Sequence, residues 1–290
     1  MANLLTAHPV RLRAGFWLGV MIQLVLALAA YVGLCLFYVA HQREFQYSLG
    51  GGRVTPEAVG LVGFVAINII TEDGERLDGW WAPPPAAGDG VVLFLHGTPG
   101  TLAGTAWVMP DLRNSGFGVM AIDYRGYGGS TGTPSEAGLR ADARAAFDYV
   151  RAAAPGSKIA VFGESLGTGP AVALARDRPV AGILLNAPYA SVRRLFELRG
   201  PPLPYRWLMK DQFDSEALIG EVSAPVMILH GTADANIPLA EARRLFAVAH
   251  EPKTMIEVKG VGHLAAYDGN GKRQALEALA RWTMPARAGR

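Results

Sequence analysis

The chain has 290 residues, half of them hydrophobic, which allows one full-sized catalytic domain and a short additional segment. Its formal net charge at pH 7 is only +2 and its basic residues are scattered, so no nucleic-acid partner is predicted. The single cysteine, Cys35, excludes an internal disulfide, and the six histidines lack the spacing of a metal site.

The first 40 residues divide into a polar arm and an apolar segment. Residues 1–13 are expected to form a solvated arm that carries Arg11 and Arg13. Residues 14–40 contain no charged side chain. As a helix they would reach about 40 Å, which exceeds the hydrocarbon core of a bilayer at about 30 Å. We therefore predict a single transmembrane helix that anchors the chain to a membrane.

Two further questions about this segment are its processing and its orientation. A cleaved signal peptide is the alternative, because Ala27-Leu28-Ala29 resembles a cleavage site, but the apolar run continues past it. Arg11 and Arg13 precede the apolar segment, whereas Arg43 and Arg53 follow it. With the amino terminus added, the positive-inside rule favours a catalytic domain on the outer, extracytoplasmic or periplasmic face.

Residues 41–60 are polar and Gly-rich and predict a linker, so a chain that begins near Val54 is expected to fold. From 61 to 285, strand and helix patterns alternate, which predicts an α/β fold with a mostly parallel sheet covered by helices on both faces. Predicted strands are 62–70, 77–82, 91–95, 117–122, 159–162, 180–185, 226–229 and 255–258. Predicted helices are about 101–114, 136–153, 166–178, 239–249 and 272–283.

Two connections in this pattern are distinctive. The first two strands are expected to form an antiparallel hairpin around the Asp73-Gly74 turn. Residues 187–221 separate two later strands and hold four prolines among aromatic and basic side chains. A connection of this length is too long for an ordinary crossing, so we predict a small lid.

The first catalytic signal follows the predicted strand 159–162. Gly163-Glu164-Ser165-Leu166-Gly167 lies between a strand and a helix, which is the G-x-S-x-G arrangement of a nucleophile elbow. His96-Gly97-Thr98-Pro99-Gly100 follows the strand 91–95 directly. In acyl-transfer enzymes these two loops supply the oxyanion donors, which we assign to the backbone N–H groups of Thr98 and Leu166.

Two later loops supply the remaining catalytic candidates. Asp234 follows the strand 226–229 and is the predicted acid, although Asp211 and Asp214 in the lid compete for that role. His263 follows the last strand in a Gly-flanked loop and is the predicted base. Ser165, then Asp234, then His263 is the order of a Ser-Asp-His triad in which each residue follows a separate strand.

From about 61 to 285 the chain resembles the serine hydrolases of the α/β-hydrolase superfamily. The loop from Asp123 to Ser130 matches the loop after the fourth strand of that superfamily, and we expect Asp123 and Arg125 to hold loops together. Within the superfamily the chain resembles a small-lidded, membrane-anchored subgroup with esterase-like and protein-depalmitoylase-like members. The resemblance implies a nucleophilic serine, a histidine base and an acidic orienter, with no cofactor.

We therefore predict a membrane-anchored hydrolase of carboxylic esters or thioesters, with a small-molecule or lipid-like acyl substrate. A serine aminopeptidase is an alternative, because the His96–Gly100 loop resembles the H-G-G-P-G loop of proline iminopeptidases, which carry a larger cap. A non-catalytic, membrane-tethered interaction module is a second alternative. The intact triad argues against it, since binding alone gives no reason to keep all three residues.

Overall fold

The computed structural model of the chain describes residues 9–48, 50–98 and 100–284. An eight-stranded sheet runs through the centre, in the spatial order β1-β2-β4-β3-β5-β6-β7-β8. Its strands are β1 (Val65–Ile70), β2 (Arg76–Ala82), β3 (Val91–Leu95), β4 (Gly118–Ile122), β5 (Ile159–Glu164), β6 (Gly182–Asn186), β7 (Val226–Gly231) and β8 (Lys253–Val258). All eight correspond to predicted strands.

The direction of the strands follows their composition. β1 and β2 form the predicted antiparallel hairpin, and β2 also pairs antiparallel with β4. The remaining pairs are parallel, and every residue of β3, β4 and β6 is buried. Continuous apolar runs suit strands that are covered on both faces. The carboxyl ends of β3, β5, β6, β7 and β8 therefore meet at one edge of the sheet.

Helices cover both faces of the sheet. They are α1 (Pro9–Gln46), α2 (Leu102–Thr105), α3 (Met109–Asn114), α4 (Glu136–Ala153), α5 (Thr168–Asp177), α6 (Val192–Arg199), α7 (Tyr205–Leu208), α8 (Ser215–Ile219), α9 (Leu239–Val248) and α10 (Gly269–Thr283). The single helix predicted over 101–114 was wrong, since that region is split into α2, a 3-10 turn and α3. Pro110 has no N–H and suits the first turn of a new helix.

Helix α1 is longer than the predicted membrane segment. Residues 9–13 of the predicted arm and 41–46 of the predicted linker are helical, whereas residues 1–8 lie outside the described residues. The segment 41–46 contains no glycine or proline, and its side chains Gln42 and Gln46 are buried against the rest of the protein. The part of α1 from Gly15 is long and apolar enough to cross a membrane, with a mean hydropathy of 2.4 in one 18-residue window.

The rest of the predicted linker also packs against the sheet domain. The bridge between Gly50 and Tyr127 joins it to the loop after β4, and Trp80 Nε1 donates a hydrogen bond to the carbonyl of Val54 at 3.1 Å. The expectation of a free linker over 41–60 is thus corrected. Hydrogen bonds and aromatic contacts that no local pattern reveals hold this segment in place.

The region predicted to be a lid, residues 187–221, lies between β6 and β7 and contains α6, α7 and α8. Pro201, Pro202 and Pro204 separate α6 from α7, since proline cannot continue a helix. The hydrophobic cores lie on the two faces of the sheet, and a third, smaller cluster joins the lid to α1 through Tyr38, Leu203 and Tyr205. The lid and α1 are therefore packed together.

Arg125 and Asp123 hold loops together near the site edge. The Arg125 guanidinium donates to both Asp142 and Asp73, with Nη2 to Asp142 Oδ1 at 2.8 Å and Nη1 to Asp73 Oδ2 at 2.7 Å. The side chain of Asp142 is fully buried. Asp123 Oδ1 accepts from the N–H of Leu102 at 2.8 Å. Both residues thus have the structural role that we expected.

We expect Arg125→Met to lower the free energy of unfolding by about 3–5 kcal/mol, because it leaves the carboxylate of Asp142 buried without its partner. Arg243→Met is the matched control, since Arg243 also pairs bidentately with a carboxylate, Glu257, but at the surface. Its loss should lower the free energy of unfolding far less, because water screens the charges of an exposed ion pair. Chemical denaturation in one detergent measures both, and equal losses would contradict a special role for the buried pair.

Candidate active site

Ser165 lies on a strained turn between β5 and α5. Its φ of 49° falls in the left-handed region, which is unfavourable for a residue with a side chain. A Cβ on Gly167 would lie 2.1 Å from the carbonyl oxygen of Leu95, and one on Gly163 would lie 2.7 Å from the carbonyl oxygen of Gly167. Only glycine fits these two positions, so the G-x-S-x-G spacing reflects the closeness of the backbones.

The loop after β3 lies directly against this turn. A Cβ on Gly97 would be 2.9 Å from the Cβ of Ser165. Thr98 and Leu166, the predicted oxyanion donors, line the same cavity as Ser165. The structure therefore brings these three residues together, and the use of the two N–H groups for an oxyanion stays a prediction. Pro99 of the same loop lies outside the described residues.

Asp234 and His263 meet at the same sheet edge. Asp234 follows β7 and His263 follows β8, and His263 Nδ1 donates to Asp234 Oδ2 at 2.8 Å. The N–H groups of Asn236 and Ile237 also donate to Asp234 Oδ1, at 2.7 and 3.0 Å. Burial alone would raise the pKa of Asp234, but the hydrogen bond from His263 and these backbone donors hold that pKa below its ordinary value. Asp234 is thus held as a carboxylate beside His263.

The competing acids and a second histidine have other partners. Asp211 accepts from Arg43, and Asp214 caps α8 by accepting from the N–H of Ala217 at 3.2 Å. His230 lies 3.5 Å from Asp234, but it is fully buried and its Nε2 donates to the carbonyl of Ile237 at 2.9 Å. Burial also lowers the pKa of His230. Of these groups, only Asp234 pairs with His263.

A cavity of about 200 Å³ opens above Ser165. Besides Thr98 and Leu166, its walls include residues of α1, of α6 and of the loop after β7, among them Phe45, Phe196 and Ile237. None of the described residues that line this cavity carries a charge. A larger depression of about 600 Å³ lies at the amino end of β5, on the sheet edge opposite Ser165, and is remote from the catalytic candidates.

Comparison with known proteins finds relatives over most of the chain. Residues 86–215 match the family model described as serine aminopeptidase, S33. The uncharacterized protein Rv2307c of Mycobacterium tuberculosis is 38% identical over 244 residues, which cover 82% of this chain and 87% of that protein. The lysophosphatidylserine lipase ABHD12 of Macaca fascicularis is 30% identical over 200 residues, which cover 62% of this chain and 50% of that protein.

A solved structure agrees with these sequence matches. The esterase Pf2001 of Pyrococcus furiosus superimposes with a TM-score of 0.67 at 20% identity, covering 82% of this chain and 99% of that one. The chain belongs to the α/β-hydrolase superfamily. The fold predicted from the sequence, a mostly parallel sheet with helices on both faces, is thus confirmed. Within the described part of this hydrolase, no cluster of three or more His, Cys, Asp or Glu could hold a metal ion.

Two residues that the sequence did not indicate as part of the candidate site, Asn186 and Glu164, contact the loop of His263. Asn186 at the end of β6 donates from Nδ2 to the carbonyl of His263 at 3.2 Å and accepts from the N–H of Ala266 at 2.9 Å. Glu164 is the register partner of Asn186 on β5 and accepts a hydrogen bond from the hydroxyl of Tyr267. The bond between Tyr267 and Glu164 thus connects the elbow with the His263 loop, and the two bonds of Asn186 connect the end of β6 with the same loop.

The surroundings of Glu164 change the pKa of its carboxyl group. Burial raises the pKa of Glu164, although the hydrogen bond from Tyr267 and the nearby ring of His263 oppose that shift. In the described residues Ser165 Oγ makes no hydrogen bond with His263, a common state of catalytic pairs without substrate. The only sequence signal for Asn186 was its place at the end of a strand, where a polar residue is unusual in an apolar run.

We expect Asn186→Ala to slow ester hydrolysis by about 100-fold in kcat, because a displacement of His263 by about 1 Å has a cost of that size. Asn114→Ala is the matched control, since Asn114 is exposed at the end of α3. Thermal unfolding of both variants checks that they are folded. A folded Asn186→Ala variant with the turnover of the control would show that Asn186 does not position His263.

Proposed function

We propose that this chain is a membrane-anchored serine hydrolase that cleaves carboxylic ester or thioester bonds through an acyl-enzyme. One observation carries the proposal: the strained Ser165 opens into an uncharged cavity at the sheet edge where His263 and Asp234 are joined at 2.8 Å. The esterase and lipase names among the similar proteins favour the same chemistry. The acyl group would occupy the cavity, with its carbonyl carbon beside Ser165.

The mechanism follows from the hydrogen bonds of His263. Because the Nδ1–H group of His263 donates a hydrogen bond to Asp234, Nε2 is the ring atom with a free lone pair. Nε2 takes the proton of Ser165 as Oγ attacks the acyl carbonyl, and then returns it to the departing alcohol or thiol. Water, activated by the same nitrogen, releases the acyl group. Asp234 stabilises the charged imidazole, and the N–H groups of Thr98 and Leu166 receive the developing oxyanion.

The cavity walls favour an acyl substrate over a peptide amino terminus. An aminopeptidase must bind a free ammonium group, and a carboxylate in the site is the strongest partner for that charge. No charged side chain is present among the described residues that line the cavity, whereas Leu195, Phe196 and Ile237 supply apolar surface. A serine aminopeptidase therefore remains the second candidate, supported by the description of the matching family model.

Membrane anchoring by α1 completes the proposal. Gly15 to Phe37 exposes large apolar side chains, and the helix is long enough to cross a bilayer. We propose the outer face for the hydrolase domain, on the basis of Arg11 and Arg13 before the apolar segment. The name of the relative ABHD12, a lysophosphatidylserine lipase, favours a lipid-like acyl substrate.

We expect Ser165→Ala to lose both turnover and labelling by a fluorophosphonate, because both require the attacking hydroxyl. The full chain in detergent is assayed with p-nitrophenyl esters of increasing length, an acyl thioester and aminoacyl arylamides. Ser223→Ala, at an exposed serine, is the control and should behave like the unchanged chain. Labelling that persists in Ser165→Ala would refute the nucleophile, and arylamides cleaved faster than every ester would favour the aminopeptidase.

We expect Asp234→Asn to lower kcat by about 10⁴-fold with little change in KM, because an amide donates to the ring of His263 and favours the wrong tautomer. Asp214→Asn is a matched control, since Asn caps a helix as well as Asp does and the α8 cap is preserved. Its kcat should stay close to that of the unchanged chain. Steady-state kinetics on one short ester compares the two, and a greater loss in Asp214→Asn would disprove the choice of acid.

A further inference from the structure

Helix α1 changes character along its length. From Gly15 to Phe37 its large apolar side chains are mostly exposed, whereas Tyr38, Gln42 and Gln46 are buried against the lid. Tyr38 packs edge-on against Tyr205 with ring centroids 5.1 Å apart. The helix therefore continues without a break from a segment suited to lipid into a segment that is part of the catalytic domain.

Polar contacts fix the register of α1 against the lid. Arg43 Nε donates to Asp211 Oδ2 at 2.8 Å, and Gln46 Nε2 donates to the carbonyl of Asp211 at 3.0 Å. Gln42 Oε1 accepts from the N–H of Lys210 at 2.7 Å. Asp211 Oδ1 also accepts from the N–H of Glu136 at 3.0 Å, at the start of α4. Rotation of α1 by one residue would break its three bonds to Asp211 and Lys210, so the face that α1 presents to the site is defined.

That face carries an aromatic ridge. Phe37, His41 and Phe45 are spaced four residues apart and lie on one side of the helix. The ring centroids of Phe37 and His41 are 4.6 Å apart, and those of Phe37 and Phe45 are 6.2 Å apart. Phe45 is 55% exposed and lines the cavity above Ser165. The ridge thus connects the exposed apolar part of α1 with the site.

We infer that Phe45 is a specificity-determining residue that contacts the acyl chain of the substrate. The acyl chain of the substrate extends from Ser165 between Phe45 on α1 and Leu195 on α6. It then follows the aromatic ridge towards Phe37. This inference rests on the proposed function, because it requires an acyl group on Ser165. The apolar surface of a half-exposed phenylalanine is unfavourable in water. When an alkyl chain covers this surface, its removal from water stabilises the bound substrate.

The inference is tested with the full chain in one detergent and p-nitrophenyl esters from acetyl to decanoyl. Phe45→Ala should lower kcat/KM on the decanoyl ester by about 10-fold, the size expected for one lost apolar contact, and leave the acetyl ester unchanged. Phe45→Trp should shift the preferred acyl length downwards, because the larger ring fills the exit of the cavity. Phe16→Ala, an equal change at an exposed site on the same helix, should alter neither ester.

Two results would overturn the inference. A loss of equal size on every ester in Phe45→Ala would mean that Phe45 supports the structure and does not select the chain. The same length profile in Phe45→Ala, Phe45→Trp and the unchanged protein would mean that the acyl chain does not contact Phe45. A failure of the proposed function would give a different result. In that case the unchanged protein would neither react with fluorophosphonate nor cleave any ester.

Discussion

The close approach of two backbones, β3 and the turn after β5, is the constraint on which the site depends. The carbonyl of Leu95 occupies the space that a side chain on Gly167 would need. This contact holds the start of α5 over the sheet and keeps Ser165 at its strained φ of 49°. The same contact brings Gly97 against Ser165, so that the predicted oxyanion loop lies directly beside the predicted nucleophile. The strained conformation of Ser165 persists because buried strands on both sides hold the turn in place.

The parallel arrangement of the central strands explains how distant residues meet. Ser165, Asn186, Asp234 and His263 follow or end four different strands, and all of those strands point to one edge. Polar groups then refine the arrangement. Asn186 holds the loop of His263 from one side, and Asp234 holds its ring from the other. Both contacts fix the loop and the ring of His263 relative to the sheet edge.

The contact between α1 and the lid makes this helix part of the cavity wall. Arg43 forms its bidentate pair with Asp211 at the point where the apolar segment ends. The helix therefore delivers Phe45 to the cavity instead of ending in a free linker. In this arrangement one continuous helix sets the distance between the apolar segment and Ser165.

The sequence by itself determined the α/β class, all eight strands, the lid and the candidates Ser165, Asp234 and His263. Apolar runs, glycine spacing and turn residues act over a few neighbours, so they are readable locally. The tertiary structure alone decided that 41–60 packs on the domain, that Asp211 pairs with Arg43, and that Asn186 holds the loop of His263. Each of these contacts joins residues that are far apart in the sequence. Val54 and Trp80 are separated by 26 positions, and Arg43 and Asp211 by 168. Such pairs leave no periodic signal, because only the folded chain brings their atoms within hydrogen-bond distance.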